Sequence, residues 1–286
     1  MKKQASKKIR PEQSQSSLPG KESEMRPDPD YQPRATRLRL ERKVALITGG
    51  DSGIGRAVAL AYAKEGADLV LSYLSEDDDA KTTEEAAREF GAKVLLVRGD
   101  ISDEKHCKHL IGETIREYGQ LDILVNNAAI QYPQESIEKI TAIQLHKTFA
   151  TNIFAQFYLC KAALPHLKAG SNIICTTSVT AYRGSGHLID YASTKGAIVS
   201  FVRSLSASLA QKNIRVNGVA PGPVWTPLIP ATFPADHVSE FGSDVPMGRA
   251  AEPNEIAPAY VFLGSDDASY ITGQIIHPNG GEIINT

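Results

Sequence analysis

The chain has 286 residues, 42% hydrophobic and 22% charged, with a net charge of −2. That is enough apolar material for one large domain, and the near-neutral balance excludes the basic face that a nucleic-acid backbone demands. No apolar run reaches the ~18 residues of a membrane span. The basic N-terminus lacks the apolar stretch of a secretory signal, and three scattered cysteines, Cys107, Cys160 and Cys175, read as inert reduced thiols of a cytoplasmic protein.

Residues 1–42 are rich in Lys, Arg, Gln, Ser and Pro and have almost no apolar periodicity. They read as a disordered or surface-draped extension, either solvated or bound to an acidic partner surface. From Val44 the pattern becomes regular. Short apolar runs, VALIT, DLVLSY, KVLLVRG, LDILVNN, NIICTTS, IRVNGVAP and QIIHP, alternate with segments of helical period such as GRAVALAYAKEG and EKHCKHLIGETIREYG. Runs apolar throughout are buried on both faces, so residues 43–286 are predicted to form one α/β domain. Its doubly wound parallel sheet has about seven strands, helices on both faces and ligands at the carboxyl ends of the strands.

The junction after the first strand carries the first chemical signal. TGGDSGIGR, residues 48–56, sets Gly49, Gly53 and Gly55 at G-x-x-x-G-x-G spacing between VALI and a helix. Glycines there permit a tight turn and close backbone approach, and the free N–H groups of the helix start favour a pyrophosphate. The pattern predicts a dinucleotide site, with a purely structural turn as the other reading. The second strand ends on Tyr73, Leu74 and Ser75. It offers neither an acid for a ribose 2′-hydroxyl nor a cation for a 2′-phosphate, so NAD and NADP both stay open. Asp77, Asp78 and Asp79 suit the positive end of the next helix. Strands three and four end on Asp100 and on Asn126 with Asn127, either aimed into the same crevice or simply turn residues. HCKH, residues 106–109, reads as a solvated helix face and not as a metal site.

The fifth strand exits through IICTTSVTAY and supplies Ser178. DYASTKGAIVSF, residues 190–201, then puts Tyr191 and Lys195 at i and i+4 on one helix face. An ammonium ~4 Å from a phenol favours the phenolate by about 4 kcal/mol at an effective dielectric near 20, almost three pKa units. That predicts a phenol brought toward working pH, where a general acid/base is useful. The Ser178 hydroxyl could hold a carbonyl oxygen against it. Residues 225–249 read as a loop closing over substrate, with Trp225, Leu228, Ile229 and Phe233 as an apolar lid or as plain packing. Gln131, Tyr132 and His187 are further candidates for the pocket wall.

Jointly, TGGDSGIG, Asp100, NNAA, Asn152 in FATNIFAQ, Ser178, YASTK and PGPVWT resemble the short-chain dehydrogenase/reductase superfamily over about residues 43–286. Ala129 stands in the glycine position of the family's NNAG, a small departure, and the extension with PGKESEM is similar to a bacterial subgroup that includes general-stress oxidoreductases. The resemblance implies a Rossmann-like fold and hydride transfer between NAD or NADP and a small alcohol, aldehyde or ketone. Asn152, Ser178, Tyr191 and Lys195 would be catalytic. Tyr191 would be the acid/base, Lys195 would lower its pKa and bind the nicotinamide ribose, Ser178 would orient the substrate oxygen, and Asn152 would hold a water leading from Lys195 to a proton relay. The cofactor would meet Gly49, Asp51, Ser52, Gly53, Ile54, Gly55, Tyr73, Asp100, Ile101, Asn126, Ala128, Pro221, Gly222, Val224 and Thr226, with Tyr191 and Lys195. Asp100 would bind adenine, Asn126 would lie along the adenosine ribose, and Thr226 would contact the carboxamide. The resemblance also implies a homo-oligomer, expected to be a tetramer, and a reaction that needs no metal, while the charge and apolar runs above predict no nucleic-acid or membrane partner. The second reading is a non-catalytic nucleotide-binding regulatory protein, which would have no chemical need for the tyrosine–lysine pair.

Overall fold

The computed structural model describes residues 38–284, so the predicted extension lies largely outside the described residues. Seven strands, β1 (Val44–Thr48), β2 (Asp68–Tyr73), β3 (Val94–Arg98), β4 (Ile123–Asn126), β5 (Asn172–Thr176), β6 (Arg215–Val219) and β7 (Ile275–Ile276), form one parallel sheet in the order 3-2-1-4-5-6-7. Every predicted strand appears, and the doubly wound architecture is the one the apolar runs implied.

The reason lies in the period of two along each strand. In β1, Ala45 and Ile47 face one layer while Leu46 faces the other, and all three are fully buried. The first layer holds α1 (Gly53–Lys64), α2 (Asp77–Glu89) and α10 (Pro253–Gly264). There the fully buried Tyr62 donates its hydroxyl hydrogen bond to the Tyr260 carbonyl at 3.0 Å, joining α1 to α10. The second layer holds α3 (Glu104–Tyr118), α4 (Ala142–Phe149), a π-helical turn (Ala150–Phe154), α5 (Ala155–Ala163) and α7 (Ile189–Leu209). Leu110, Leu159, Ile198 and Val202 fill it against Leu46, Leu124 and Val216. Each such side chain contributes ~1.5–3 kcal/mol by leaving water.

Helix ends follow local chemistry. Asp103 caps α3 by accepting from the Lys105 N–H, and Gly119 closes it in the left-handed conformation at φ 72°. Residues 225–249, predicted as a loop, contain α8 (Leu228–Thr232) and α9 (Ala235–Glu240). Pro227 and Pro234 directly precede these helices, and proline's fixed φ suits the entry to a helix. A short helix, α6 (Thr180–Arg183), follows β5.

Residues 38–42, grouped with the extension by composition, are described. Leu40 is fully buried in the α1 layer, and its N–H donates to the Glu65 carbonyl at 3.0 Å. Among the described residues no helix is long and apolar enough to cross a membrane.

Candidate active site

The strand order reverses between β1 and β4, which opens a crevice beyond the strand ends. The glycine loop sits there. Gly49 and Gly53 take φ of +63° and +51°, and a Cβ on Gly55 would stand 1.8 Å from the Gly49 carbonyl oxygen. The end of β4 holds this loop. The Thr48 hydroxyl accepts from the N–H groups of Asn127 (2.9 Å) and Ala128 (3.1 Å), while Asn127 Nδ2 donates to the Thr48 and Gly49 carbonyls at 3.1 and 3.3 Å. Ser52 precedes α1 and turns its hydroxyl to Asp51 Oδ2 at 2.9 Å, so it does not cap the helix. The first-turn N–H groups are thereby left without a side-chain acceptor, which fits a pyrophosphate. Burial raises the pKa of the Asp51 carboxyl above the usual carboxylate value.

Two residues predicted to meet the cofactor turn their side chains elsewhere. The Asn126 side chain is 2% exposed and points away from the crevice, with Nδ2 directed at the thiols of Cys160 (3.6 Å) and Cys175 (3.7 Å). Strand alternation sends it into the α5 layer, and the neighbouring Asn127 reaches the glycine loop instead. Ile101 likewise buries its side chain in the core beside Val97 and Cys107. Asp100 stays exposed at the end of β3, where its Oδ1 accepts from the Ser102 N–H at 2.8 Å in a turn.

At the end of β2 the sequence shows no cation, yet the structure supplies one. Arg98 of β3 stands in register with Tyr73. Tyr73 donates to Asp77 Oδ1 and Arg98 to Asp77 Oδ2, each at 2.9 Å. Arg56 of α1 is tied in a similar way to the Asp51 carbonyl and to Asp79 Oδ1. Both cations are already paired with carboxylates, so this corner does not choose between the two nucleotides.

α7 carries Tyr191 and Lys195 on one face, with Lys195 Nζ 5.3 Å from the Tyr191 ring centroid. Lys195 is 2% exposed and Nζ donates to the Thr176 carbonyl at 2.9 Å. Burial lowers its pKa to about 7. Burial also raises the Tyr191 pKa to about 12, partly opposed by the Ser178 hydroxyl. Desolvation disfavours the charged form of both groups. Ser178 is 8% exposed, and its Oγ accepts from the Thr180 N–H at 3.1 Å.

Asn152 lies in the π-helical turn. Its Oδ1 accepts from the Ile130 N–H and its Nδ2 donates to the Ile130 carbonyl, both at 2.9 Å, with a second donation to Thr194 Oγ1 at 3.1 Å. Its own carbonyl accepts from Gln156 Nε2 at 3.0 Å. The sequence reading passed over Gln156, whose one signal is a polar residue one turn after Asn152 in an apolar stretch. It also passed over Asp190, a carboxylate only 2% exposed. Asp190 Oδ2 accepts from Thr148 Oγ1 (2.8 Å) and Gln144 Nε2 (3.0 Å), and Oδ1 from the Tyr191 N–H (2.9 Å), which locks the first turn of α7 to α4.

A cavity of about 420 Å³ opens over Ser178 and Tyr191. Ile54 of the glycine loop, Leu228, Ile229, Phe233, Gln131 and His187 line it. Trp225 and Tyr132 do not: Trp225 is 47% exposed, and the Tyr132 ring lies under Lys147 Nζ at 5.5 Å. Gln131 Nε2 donates to Thr232 Oγ1 at 2.9 Å, joining the wall to α8. The predicted turn after β6 forms the other wall. Thr226 packs over Gly53, Val224 bridges to Ala251, the Pro221 carbonyl accepts from the Val179 N–H at 3.1 Å, and a Cβ on Gly222 would meet Asn279 at 2.8 Å. Among the described residues no cluster of His, Cys, Asp or Glu suits a metal ion, and the three cysteines are free and buried.

A family model described as enoyl-(acyl carrier protein) reductase matches residues 49–282. Two proteins of Bacillus subtilis (strain 168), uncharacterized oxidoreductase YhxC and general stress protein 39, are 57% and 54% identical to the chain; the alignments cover 98% of both chains for the first, and 96% of this chain and 97% of the relative for the second. NADPH-dependent aldehyde reductase 1 of Arabidopsis thaliana is 48% identical over 96% of this chain and 98% of its own length. The crystal structure of a short chain dehydrogenase from Burkholderia cenocepacia J2315 in complex with NADP matches with a TM-score of 0.80 at 29% identity, covering 85% of this chain and 98% of that one. Nothing in these likenesses favours the non-catalytic reading. The glycine loop, the Ser178–Tyr191–Lys195 grouping beside it and these matches agree that the chain belongs to the short-chain dehydrogenase/reductase family of NAD(P)-dependent oxidoreductases.

Proposed function

We propose that Tyr191 is the general acid/base of a hydride transfer between a nicotinamide nucleotide and a small aldehyde, ketone or alcohol. One observation carries this reading: the phenol and the Ser178 hydroxyl share the floor of a cavity that begins at the glycine loop, with the buried Lys195 one helical turn behind.

When bound, the nucleotide supplies or accepts the hydride. Gly49, Gly53, Gly55 and the start of α1 would hold its pyrophosphate, Asp100 its adenine and Thr226 its carboxamide. Thr176 takes one of the three ammonium donors of Lys195, which leaves donors for a ribose hydroxyl. Ser178 donates to the substrate oxygen. Tyr191 delivers a proton to that oxygen in reduction and removes it in oxidation, and Leu228, Ile229 and Phe233 shield the reaction from water. Positioning by rigid α7, itself locked through Asp190, supplies much of the rate. The likeness to the Arabidopsis aldehyde reductase favours a small aldehyde among these substrates. The reading includes a cytoplasmic homotetramer, supported by three free thiols and by the exposed Phe154 and Phe157.

The test is NADH and NADPH absorbance with a panel of aldehydes, ketones and sugars. Tyr191→Phe is expected to lower kcat by ~10²–10⁴ while nucleotide binding persists. Wild-type turnover in that variant would overturn the assignment.

A further inference from the structure

Two supports of the site meet at Thr176, the last residue of β5. β4 keeps register with β5 as far as the pair Asn126–Cys175, so the Thr176 carbonyl lies past that ladder and accepts from Lys195 Nζ at 2.9 Å. The Thr176 hydroxyl serves the other support. It donates to Asn127 Oδ1 at 3.3 Å, and Asn127 Nδ2 donates in turn to the Thr48 and Gly49 carbonyls of the glycine loop.

A threonine hydroxyl has one proton to give. With that proton on Asn127, Thr176 Oγ1 can only accept from its remaining neighbour, the Tyr260 hydroxyl of α10 at 2.7 Å. Donation therefore runs one way, from Tyr260 through Thr176 to Asn127 and on to the glycine loop; the reverse would take this donor from Asn127. Tyr260 is fully buried, and its own carbonyl accepts from the Tyr62 hydroxyl of α1 at 3.0 Å. Because α1 starts at the glycine loop, these bonds close a ring through α1, α10, Thr176 and Asn127. Packing alone asks for no hydroxyl at position 260: α10 otherwise fills this layer with Ile256, Val261 and Leu263. A buried hydroxyl is costly unless it is bonded, which points to the bond itself as the reason for a tyrosine.

We propose that Tyr260 is a positioning residue for nucleotide binding. Through Thr176 it fixes both the carbonyl that aims Lys195 and the asparagine that shapes the glycine loop, so the lysine and the loop hold the nucleotide from one common anchor. Without the Tyr260 hydroxyl, Thr176 is free to turn its proton away from Asn127 and the anchor is lost. The inference rests on the reading of Lys195 as the ribose-binding partner of Tyr191.

Titration of the full chain with NADH and NADPH, followed by nicotinamide fluorescence, tests this without turnover. Tyr260→Phe removes one oxygen and is expected to weaken nucleotide binding about fivefold, the loss of roughly one hydrogen bond. Thr176→Val, nearly isosteric, should weaken it by a similar factor. The double variant should bind about as well as the weaker single one, since both changes cut the same chain of bonds; losses that multiply overturn the proposal. Unchanged affinity in Tyr260→Phe, with or without a lower melting temperature, would mean a packing role and also overturn it. Thr176→Ser restores the hydroxyl and should recover most of what Thr176→Val loses. That pair decides the matter if Tyr260→Phe does not fold, equal affinities of the two being the refuting result. Coupled losses in a chain that turns over no carbonyl would refute the proposed reaction alone. Turnover abolished by Tyr191→Phe, together with unchanged affinity in Tyr260→Phe, would refute the role of Tyr260 alone.

Discussion

Lys195 shows how one side chain can trade stability for chemistry. Its pKa falls from 10.5 to about 7 because burial disfavours the ammonium. Between those values the unfolded chain binds more protons than the folded one, so this group's contribution to stability is least favourable below pH 7 and improves as the pH rises toward 10.5. Lys195→Met keeps the length and removes the charge. It is expected to raise Tm near pH 6–7 by several degrees, at about 2–4 °C per kcal/mol for a domain near this size. That advantage should shrink toward pH 10, while kcat drops by ~10² or more. Thermal unfolding across this range checks it; a lower Tm at pH 6 would show that packing, not charge, governs the site. The lysine itself was legible from its spacing to Tyr191. Its pKa was not, because burial is set by segments distant in the chain, among them the β5 strand that carries Thr176, which no local spacing encodes.

At the scale of elements, the glycine loop is the most legible feature. Its constraint is local backbone geometry, and a triplet at fixed spacing between a strand and a helix expresses it directly. Gly55→Ala would put a methyl 1.8 Å from the Gly49 carbonyl oxygen, so either α1 or the loop must shift. Nucleotide affinity measured by titration is expected to fall by more than ~10-fold, a change of about 1.4 kcal/mol, together with a lower Tm. Unchanged affinity would remove the loop from the site. Other elements were opaque. The π-helical turn at Ala150–Phe154, which presents Asn152 to Ile130, leaves no mark on the apolar period. The asparagine pair at the end of β4 reads the same for either side chain. Only the direction of the strand sends Asn126 to the thiols and Asn127 to the glycine loop.

Across the whole molecule, the surface left uncovered bears on assembly. Phe157 is 53% exposed, and its ring packs on Phe201 with centroids 4.5 Å apart, while Phe154 nearby is 38% exposed. Aromatic residues at such a surface favour association. Sedimentation equilibrium of the 30.9 kDa chain is expected to give a tetramer, and Phe157→Lys to shift it to smaller species that still bind nucleotide. A monomeric wild type would overturn the tetramer.

The sequence by itself determined the sheet, the dinucleotide loop and the tyrosine–lysine pair, because each rests on short-range periodicity or backbone conformation written within a dozen residues. Tertiary structure alone decided what those residues experience. It set Arg98 beside Tyr73 through strand register, turned Asn126 away from the crevice, and kept Trp225 off the cavity. It also buried Lys195 so that desolvation lowers its pKa to about 7, since desolvation and register arise from segments far apart in the chain.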